Sequence, residues 1–435
     1  MKGSAVTAHQ AVARERAAVV GLQLGMSRRA VVEASLDELA GLVAAAGGAV
    51  VSRTIQERHK PDPALFIGRG KADVLARALE ELAVDLVVVD HELTPGQLRN
   101  LESTLGRRVL DRTQLILDIF AARARTREGK LQVELAQLRY LLPRLAGAGS
   151  RLSRLGAGIG TRGPGEMKLE TDRRRIRQRI GRLSRDLELV RRRRGQLRDR
   201  RRQRAAPTVA LIGYTNAGKS SLFNLMTGGA AESSNALFVT LDPLVRTLKL
   251  PDRRTVLVSD TVGFIDRLPH TLVAAFRATL EEVTSADLLL HVVDVSHDER
   301  AARMAAVDRV LEEVGAANRP IQLVFNKSDL VGAGALDRLR VEYPAAIFTS
   351  ASTGSGRDDL VSALIGRLRV DMRRIRLSFD DRRPADRRGM SAIYRHGRVL
   401  RHVSENGRAV IDVEAPSHLI DRWRQGGWRQ QEQPS

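Results

Sequence analysis

The run Gly213-Tyr214-Thr215-Asn216-Ala217-Gly218-Lys219-Ser220 fits G-x-x-x-x-G-K-[ST], and Ser221 follows it directly. It stands between an apolar strand pattern, Thr208 to Ile212, and a helix pattern, Ser221 to Met226, which is the setting this motif needs. Its glycines let backbone N–H groups close around a β-phosphate, and the N-terminus of the following helix favours the negative charge. Lys219 would reach the β- and γ-phosphates, and the Ser220 hydroxyl would bind magnesium. Asp260-Thr261-Val262-Gly263 closes the apolar run Thr255 to Ser259. An aspartate at a strand end can hold magnesium through water, and the Gly263 N–H can meet a γ-phosphate and sense its loss.

A third run, Asn326-Lys327-Ser328-Asp329, follows the apolar stretch Ile321 to Phe325. The Asp329 carboxylate can accept hydrogen bonds from guanine N1–H and the exocyclic amine. Adenine has no matching donors and would leave that acceptor unpaired. Asn326 and Lys327 would pack beside the base and brace its loops. Ser350, Ala351 and Ser352, after one more strand, would bring a backbone N–H to the guanine O6. Between the first two motifs lies Phe238-Val239-Thr240-Leu241-Asp242-Pro243. A loop there must offer magnesium a hydroxyl when the γ-phosphate is present, and Thr240 is the residue chosen for it.

These elements, taken in their order along the chain, predict a site for GTP with Mg2+. Ser220, Thr240 and Asp260 are the metal set, Asp260 acting through water. Lys219, Thr240 and Gly263 are the catalytic set. Phe264 occupies the position where signalling GTPases place a glutamine that orients the attacking water. Phenylalanine cannot hydrogen-bond water, so hydrolysis is expected to be slow in isolation and completed by a partner. The alternative is that another polar residue substitutes.

Such a site needs a frame. Residues 205–370 read as an α/β domain that carries it. Before it, residues 16–124 alternate strand and helix patterns: strands at Val19–Leu24, Ala49–Ile55 and Leu86–Val89, helices at Leu36–Ala46 and Lys71–Leu82. Another helix opens at Thr94-Pro95, with threonine as cap and proline at the first position, and ends near Gly106. This is a small α/β unit with a largely parallel sheet. Residues 1–15 lack periodicity and are expected to be flexible.

Residues 125–204 change character. Leu131, Leu135, Leu138 and Leu142 step by four, three and four, and Pro143 is expected to stop that helix. Seven glycines between Gly147 and Gly165 form a loop. A second helix of about 30 residues from Leu169 carries Ile176, Ile180, Leu183, Leu187, Val190 and Leu197 at the same step, so the two pair as a long hairpin. Residues 371–435 read as a small α+β appendage, with strands at Ile375–Phe379, Val399–Val403 and Ala409–Val413 and a turn at Gly407. The whole is a multidomain α/β protein with a Ras-like P-loop domain at its centre.

Composition narrows the partner. The 435 residues carry a formal net charge of +21, and 20 Lys or Arg fall between Arg151 and Arg204. Like charges at i,i+4 repel, so this density suits a polyanion better than a merely solvated face. Arg151, Arg154, Arg162, Lys168, Arg173, Arg174 and Arg175 are the candidate RNA contacts. Aromatic residues are scarce there, which argues against base stacking. With no cysteine in the sequence, disulfides, thiolate metal sites and a cysteine nucleophile are excluded. No apolar run is long enough for a membrane span, and no signal segment opens the chain, so the expected location is the cytoplasm.

Three further strings place the sequence more narrowly. They are Thr126-Arg127-Glu128-Gly129-Lys130-Leu131-Gln132-Val133-Glu134-Leu135-Ala136-Gln137-Leu138; Gly158-Ile159-Gly160-Thr161-Arg162-Gly163-Pro164-Gly165-Glu166; and Leu241-Asp242-Pro243 with Asp260-Thr261-Val262-Gly263-Phe264-Ile265. Through them the chain resembles the HflX family of bacterial GTPases over residues 16–370 and, more loosely, beyond. Ala157 departs from the family's usual glycine, and Met167-Lys168 from its usual Thr-Gln. The resemblance implies binding to the large ribosomal subunit and its RNA, with the hairpin toward the peptidyl-transferase region. It also implies splitting of stalled or idle ribosomes under stress, with the ribosome stimulating hydrolysis. Some members of the family bind ATP through the N-terminal region, but no second phosphate loop is present in this sequence. Two other readings stand beside ribosome splitting: a subunit-assembly GTPase, and an RNA-binding protein switched by GTP with negligible turnover. A monomer is expected, because a hairpin that enters a cleft leaves little room for a symmetric partner.

Overall fold

The computed structural model describes residues 14–25, 28–145, 164–203, 206–229, 237–252, 254–266, 277–368, 372–380, 382–405, 407–416, 420, 423 and 429–430. The chain divides into two compact units. One comprises Met1–Leu187 with Asn235–Val239 and Leu268–Ala275, and the other comprises Glu188–Ser234, Thr240–Arg267 and Phe276–Ser435. Most of the segment expected to be flexible, 1–15, and nearly all of the glycine-rich loop lie outside the described residues.

In the first unit the chain runs β1 (Arg16–Leu24), α1 (Arg29–Ala45), β2 (Ala49–Arg58), α2 (Arg69–Glu81), β3 (Leu86–Val89), α3 (Pro95–Leu105), β4 (Arg108–Asp111) and α4 (Arg112–Arg123). Among the described residues the sheet has the order β2-β1-β3-β4, and every pairing is parallel. The inner strands β1 and β3 are apolar on successive positions, as strands covered on both faces are. Val87 and Val88, for instance, are fully buried. Two helices begin earlier than their apolar spacing suggests, α1 by seven residues and α2 by two. Most of the residues so added are exposed or half-buried, Val32 of α1 being the buried exception. At α3 the expectation holds in detail. The Gln97 N–H donates to the Thr94 hydroxyl, the Thr94 N–H donates to the Gln97 side chain, and Gly106 closes the helix at φ 62°. This reciprocal cap satisfies two donors that a helix start otherwise leaves unpaired.

The hairpin helices are α5 (Arg127–Arg144) and α6 (Pro164–Gln203). Leu135, Leu183 and Leu187 are buried in the seam, with Leu131, Leu138 and Ile180 packed against them. Arg179 of α6 forks onto Glu134 of α5 at 2.7 and 2.9 Å. Pro143 does not stop α5, which continues to Arg144. A proline this near the end removes one intrahelical bond and leaves few residues to disrupt.

The second unit begins with β5 (Thr208–Ile212), α7 (Lys219–Thr227), β6 (Leu244–Lys249), β7 (Thr255–Asp260), α8 (Arg277–Ser285) and β8 (Leu288–Asp294). It continues through α9 (Arg300–Glu313), β9 (Ile321–Asn326), α10 (Ala333–Glu342), β10 (Ile347–Phe348) and α11 (Arg357–Arg367). The strand order among the described residues is β10-β9-β8-β5-β7-β6, with β6 antiparallel to β7 and the rest parallel. Val209, Leu211, Phe223, Val258, Leu290 and Val324 are in the core that holds the sheet to its helices. The C-terminal ends of β5, β7 and β9 therefore lie along one edge, where open α/β sheets bind ligands.

A separate antiparallel sheet of order β12-β13-β11-β14 follows, from β11 (Met372–Asp380), β12 (Arg398–Glu405), β13 (Arg408–Pro416) and β14 (Arg429–Gln430). Gly407 turns between β12 and β13 at φ 78°. A helix that the periodicity did not predict, α12 (Pro384–His396), places Ile393 in that core. Among the described residues, no helix is long and apolar enough to cross a membrane.

Candidate nucleotide and magnesium site

The loop from β5 to α7 is shaped by two glycines. Gly213 has φ 146°, and a Cβ there would lie 2.1 Å from the Val292 carbonyl oxygen of β8. Gly218 has φ 89°, and a Cβ there would lie 2.1 Å from the Asn326 side-chain nitrogen. Only glycine allows both the left-handed turn and these approaches. Between them Thr215 and Ala217 are buried, while Asn216 is exposed with φ 60°.

Lys219 is buried at the start of α7, where its ammonium donates to the carbonyls of Gly213 at 3.1 Å and Tyr214 at 2.7 Å. Burial pulls its pKa down to about 8, with Asp260 opposing. Asp260, at the end of β7, is pushed the other way by burial, against hydrogen bonds from Ser220 and Thr240 and the charge of Lys219. Each charge is thus under-compensated within the protein. A phosphate chain carrying a divalent cation would supply both missing partners.

Three oxygens converge beside Lys219. The Ser220 hydroxyl lies 2.7 Å from the Asp260 carboxylate, the Thr240 hydroxyl lies 3.0 Å from it, and the two hydroxyls lie 2.8 Å apart. The second carboxylate oxygen, Oδ1, is buried without a hydrogen-bond partner among the described residues. One carboxylate and two hydroxyls are hard oxygen donors of the kind magnesium takes together with phosphate oxygens. The residues present therefore fit the ion.

Thr261 anchors the next segment by donating to the Leu211 carbonyl at 2.6 Å. Gly263 passes so close to the phosphate loop that an added Cβ would lie 2.9 Å from both Lys219 Nζ and Thr215 Cα. The Phe264 N–H donates to Gly213 at 3.0 Å, and the Thr215 N–H donates to Phe264 at 2.7 Å. Phe264 itself is buried, as is Val262.

The base loops are held to the phosphate loop by Asn326. Its Nδ2 donates to the Ala217 carbonyl at 2.9 Å, and its Oδ1 accepts from the Ala351 N–H at 3.0 Å. Lys327, at φ 65°, pairs with Asp294 at 2.7 Å. Ser328 donates its N–H to the Thr349 carbonyl. Asp329 is exposed, and the hydroxyl of Ser350, then that of Ser352, hold its carboxyl below the usual carboxylate range. Ser350 is fully buried.

The structure thus gathers Gly213 through Ser220, Thr240, Asp260 through Gly263, and Asn326 through Asp329 with Ser350, Ala351 and Ser352. Ser221 sits one residue further on α7, and Leu241 is buried beside the half-buried Asp242. Phe238 is not among the converging side chains. It counts with the first unit, as Val239 does, and its ring meets Phe120 edge-on at 4.6 Å. Of the RNA candidates, Arg151, Arg154 and Arg162 lie outside the described residues. Lys168, Arg173, Arg174 and Arg175 fall on α6, where Arg174 and Arg175 are exposed.

Two groups beside the site carry no signal in the sequence. His291 on β8 is buried, and burial followed by the charge of Lys219 lowers its pKa to about 4. A histidine in an apolar strand reads only as core. Asp294, at the end of the same strand, becomes visible only through its pairing with Lys327.

Comparison with known proteins agrees with this geometry. Three family models match in succession: a GTP-binding GTPase N-terminal region at residues 33–121, a GTP-binding GTPase middle region at 123–201, and a 50S ribosome-binding GTPase at 208–327. The GTPase HflX of Lacrimispora saccharolytica is 43% identical over 406 residues, which is 93% of this chain and 95% of that one. That of Escherichia coli K12 is 43% identical over 392 residues, 89% of this chain and 91% of that one. Among solved structures, a GTP-binding protein of Sulfolobus solfataricus in complex with GDP is 24% identical, with a TM-score of 0.43 over 81% of this chain and 98% of that one.

Proposed function

The chain belongs to the HflX family of GTPases, and from that premise we propose that it hydrolyses GTP on the large ribosomal subunit and separates stalled or idle ribosomes under stress. GTP favours the bound state, and hydrolysis releases it. The observation that carries the nucleotide chemistry is the convergence of Ser220, Thr240 and Asp260 beside Lys219. Support for the partner comes from two sides. The model matching residues 208–327 is that of a 50S ribosome-binding GTPase. Sixteen of the 40 residues of α6 are arginine or lysine, which suits ribosomal RNA phosphates.

In this reading Gly213 to Ser221 cradle the phosphates, and Lys219 balances charge on the β- and γ-oxygens. Ser220 and Thr240 would hold Mg2+ directly and Asp260 through water; the ion would neutralise charge developing on the phosphates. The Gly263 N–H faces the γ-phosphate. Asp329 selects guanine, with Asn326, Lys327, Ser328, Ser350, Ala351 and Ser352 shaping the base pocket. Residues 238–242 supply Thr240 by their backbone course. Phe264, buried and apolar, offers water no hydrogen bond, so ribosome contact supplies what turnover needs. The working parts are 16–124, the hairpin 125–204, the GTP domain 205–370 and the appendage 371–435, acting as a cytoplasmic monomer.

The test is incubation of joined ribosomes with the protein and GTP, followed by sedimentation. Conversion to free subunits that depends on GTP, and that a Lys219→Ala variant does not produce, is the expected result. Joined ribosomes that stay joined, with GTP turnover intact, would move the activity to subunit assembly. Phe264 also supports a second reading, a GTP-switched RNA binder, which ribosome-independent negligible turnover would favour.

A further inference from the structure

Tyr214 is the second residue of the phosphate loop, and its side chain is engaged by Arg303 and Asp266. The ring is buried, and the Arg303 guanidinium of α9 lies 4.7 Å from its centroid. Its hydroxyl accepts a hydrogen bond from the Asp266 N–H at 2.8 Å. Two backbone bonds already join Phe264 to Gly213 and Thr215. Tyr214 adds a third, two residues further along, and does so with a rigid ring of fixed length. At the other end of the same segment Thr261 is fixed to Leu211. Gly263 lies between these anchors, within van der Waals reach of Lys219 and Thr215.

We infer that Tyr214 is a positioning residue for GTP: through its hydroxyl it sets the height of residues 263–266 above the phosphate loop, and so favours GTP over GDP. The inference rests on the nucleotide reading given above. The arrangement seen is the closed one, because the Thr240 hydroxyl is already beside Ser220 and Asp260. Tyr214 therefore supports the state in which Gly263 meets a γ-phosphate. GDP has no γ-phosphate and gains little from that state.

Tyr214→Phe removes the acceptor and keeps the ring beneath Arg303. Fluorescent GDP and a non-hydrolysable GTP analogue are titrated against the full chain, and single-turnover GTP hydrolysis is followed. The expected result is an analogue Kd raised about three- to tenfold, the range of one lost hydrogen bond, with GDP Kd within about twofold. Single-turnover hydrolysis falls by a similar factor. A merely structural role would weaken both nucleotides together, and that outcome overturns the inference, as does an unchanged pair of constants. Unmoved constants in Tyr214→Phe with a wild type that binds both nucleotides refute this role alone. A wild type that binds neither overturns the nucleotide reading with it.

Discussion

Replacing Asn326 by alanine isolates the bond between the phosphate loop and the base loops. Asn326 is 1% exposed. Its Nδ2 satisfies the Ala217 carbonyl, and its Oδ1 satisfies the Ala351 N–H. Alanine leaves both groups without a partner and also removes the side chain against which Gly218 turns. A buried polar group left unpaired costs about 1–3 kcal/mol. Two such groups, one on each side of the nucleotide, cost on the order of 2–4 kcal/mol if the loops relax in part. Bound nucleotide must hold the loops together without the strut, so the cost falls on binding. At about 1.4 kcal/mol per tenfold, Kd rises about 30- to 700-fold. The strut touches no γ-phosphate element, so GDP and GTP weaken by the same factor. Fluorescent-nucleotide titration measures both, with a melting curve to verify the fold. A Kd within about threefold of wild type, or a loss confined to GTP, would refute the reasoning.

Other consequences follow from the same geometry. Asp329→Asn exchanges an acceptor for a donor, so GTP binding falls about a hundredfold through two weakened hydrogen bonds to a charged group. Xanthosine triphosphate, with a carbonyl in place of the amine, becomes the preferred ligand in competition titrations. Asp260→Asn leaves both hydroxyls in place but removes the charge behind them. The magnesium concentration for half-maximal GTP turnover should rise about 10- to 100-fold, as for other outer-sphere partners. His291 sets a pH dependence. Its folded pKa, about 4, lies below the ordinary 6.5, so the unfolded chain binds the proton first. The stability it contributes is complete above 6.5 and is lost as pH falls toward 4, amounting to about 2 kcal/mol at pH 5. Hydrogen exchange of the β8 amides, corrected for intrinsic rates, should accelerate about 30-fold between pH 7 and 5. A His291→Gln variant should lack most of that acceleration.

The candidate site was legible because its chemistry restricts residue type, spacing and order together. Lys219, Asp260, Asn326 and Asp329 could be named from the strands that precede them. β3 and the capped helix α3 were equally plain, since an all-apolar run and a Thr-Pro start each have one local meaning. What tertiary contact decides was hidden. Phe238 reads as part of a nucleotide loop, yet its ring is taken up by Phe120. Tyr214 occupies a motif position that any residue can fill, and its role rests on Asp266, 52 residues away in sequence. α12 is rich in arginine, and the buried Ile393 with the half-buried Met390 beside it gives too few apolar positions to show a period. The antiparallel edge strand β6 has only Leu248 fully buried. An edge strand with so little buried surface leaves almost no alternation to read.

The most direct measurement is GTP turnover by the purified protein, alone and with large subunits or joined ribosomes, beside the Lys219→Ala variant. A large rise with ribosomes that disappears in Lys219→Ala is the predicted result, because the buried ring of Phe264 gives water no hydrogen bond at the position where signalling GTPases place a glutamine. Equal turnover with and without ribosomes, at intact GTP binding, would contradict it.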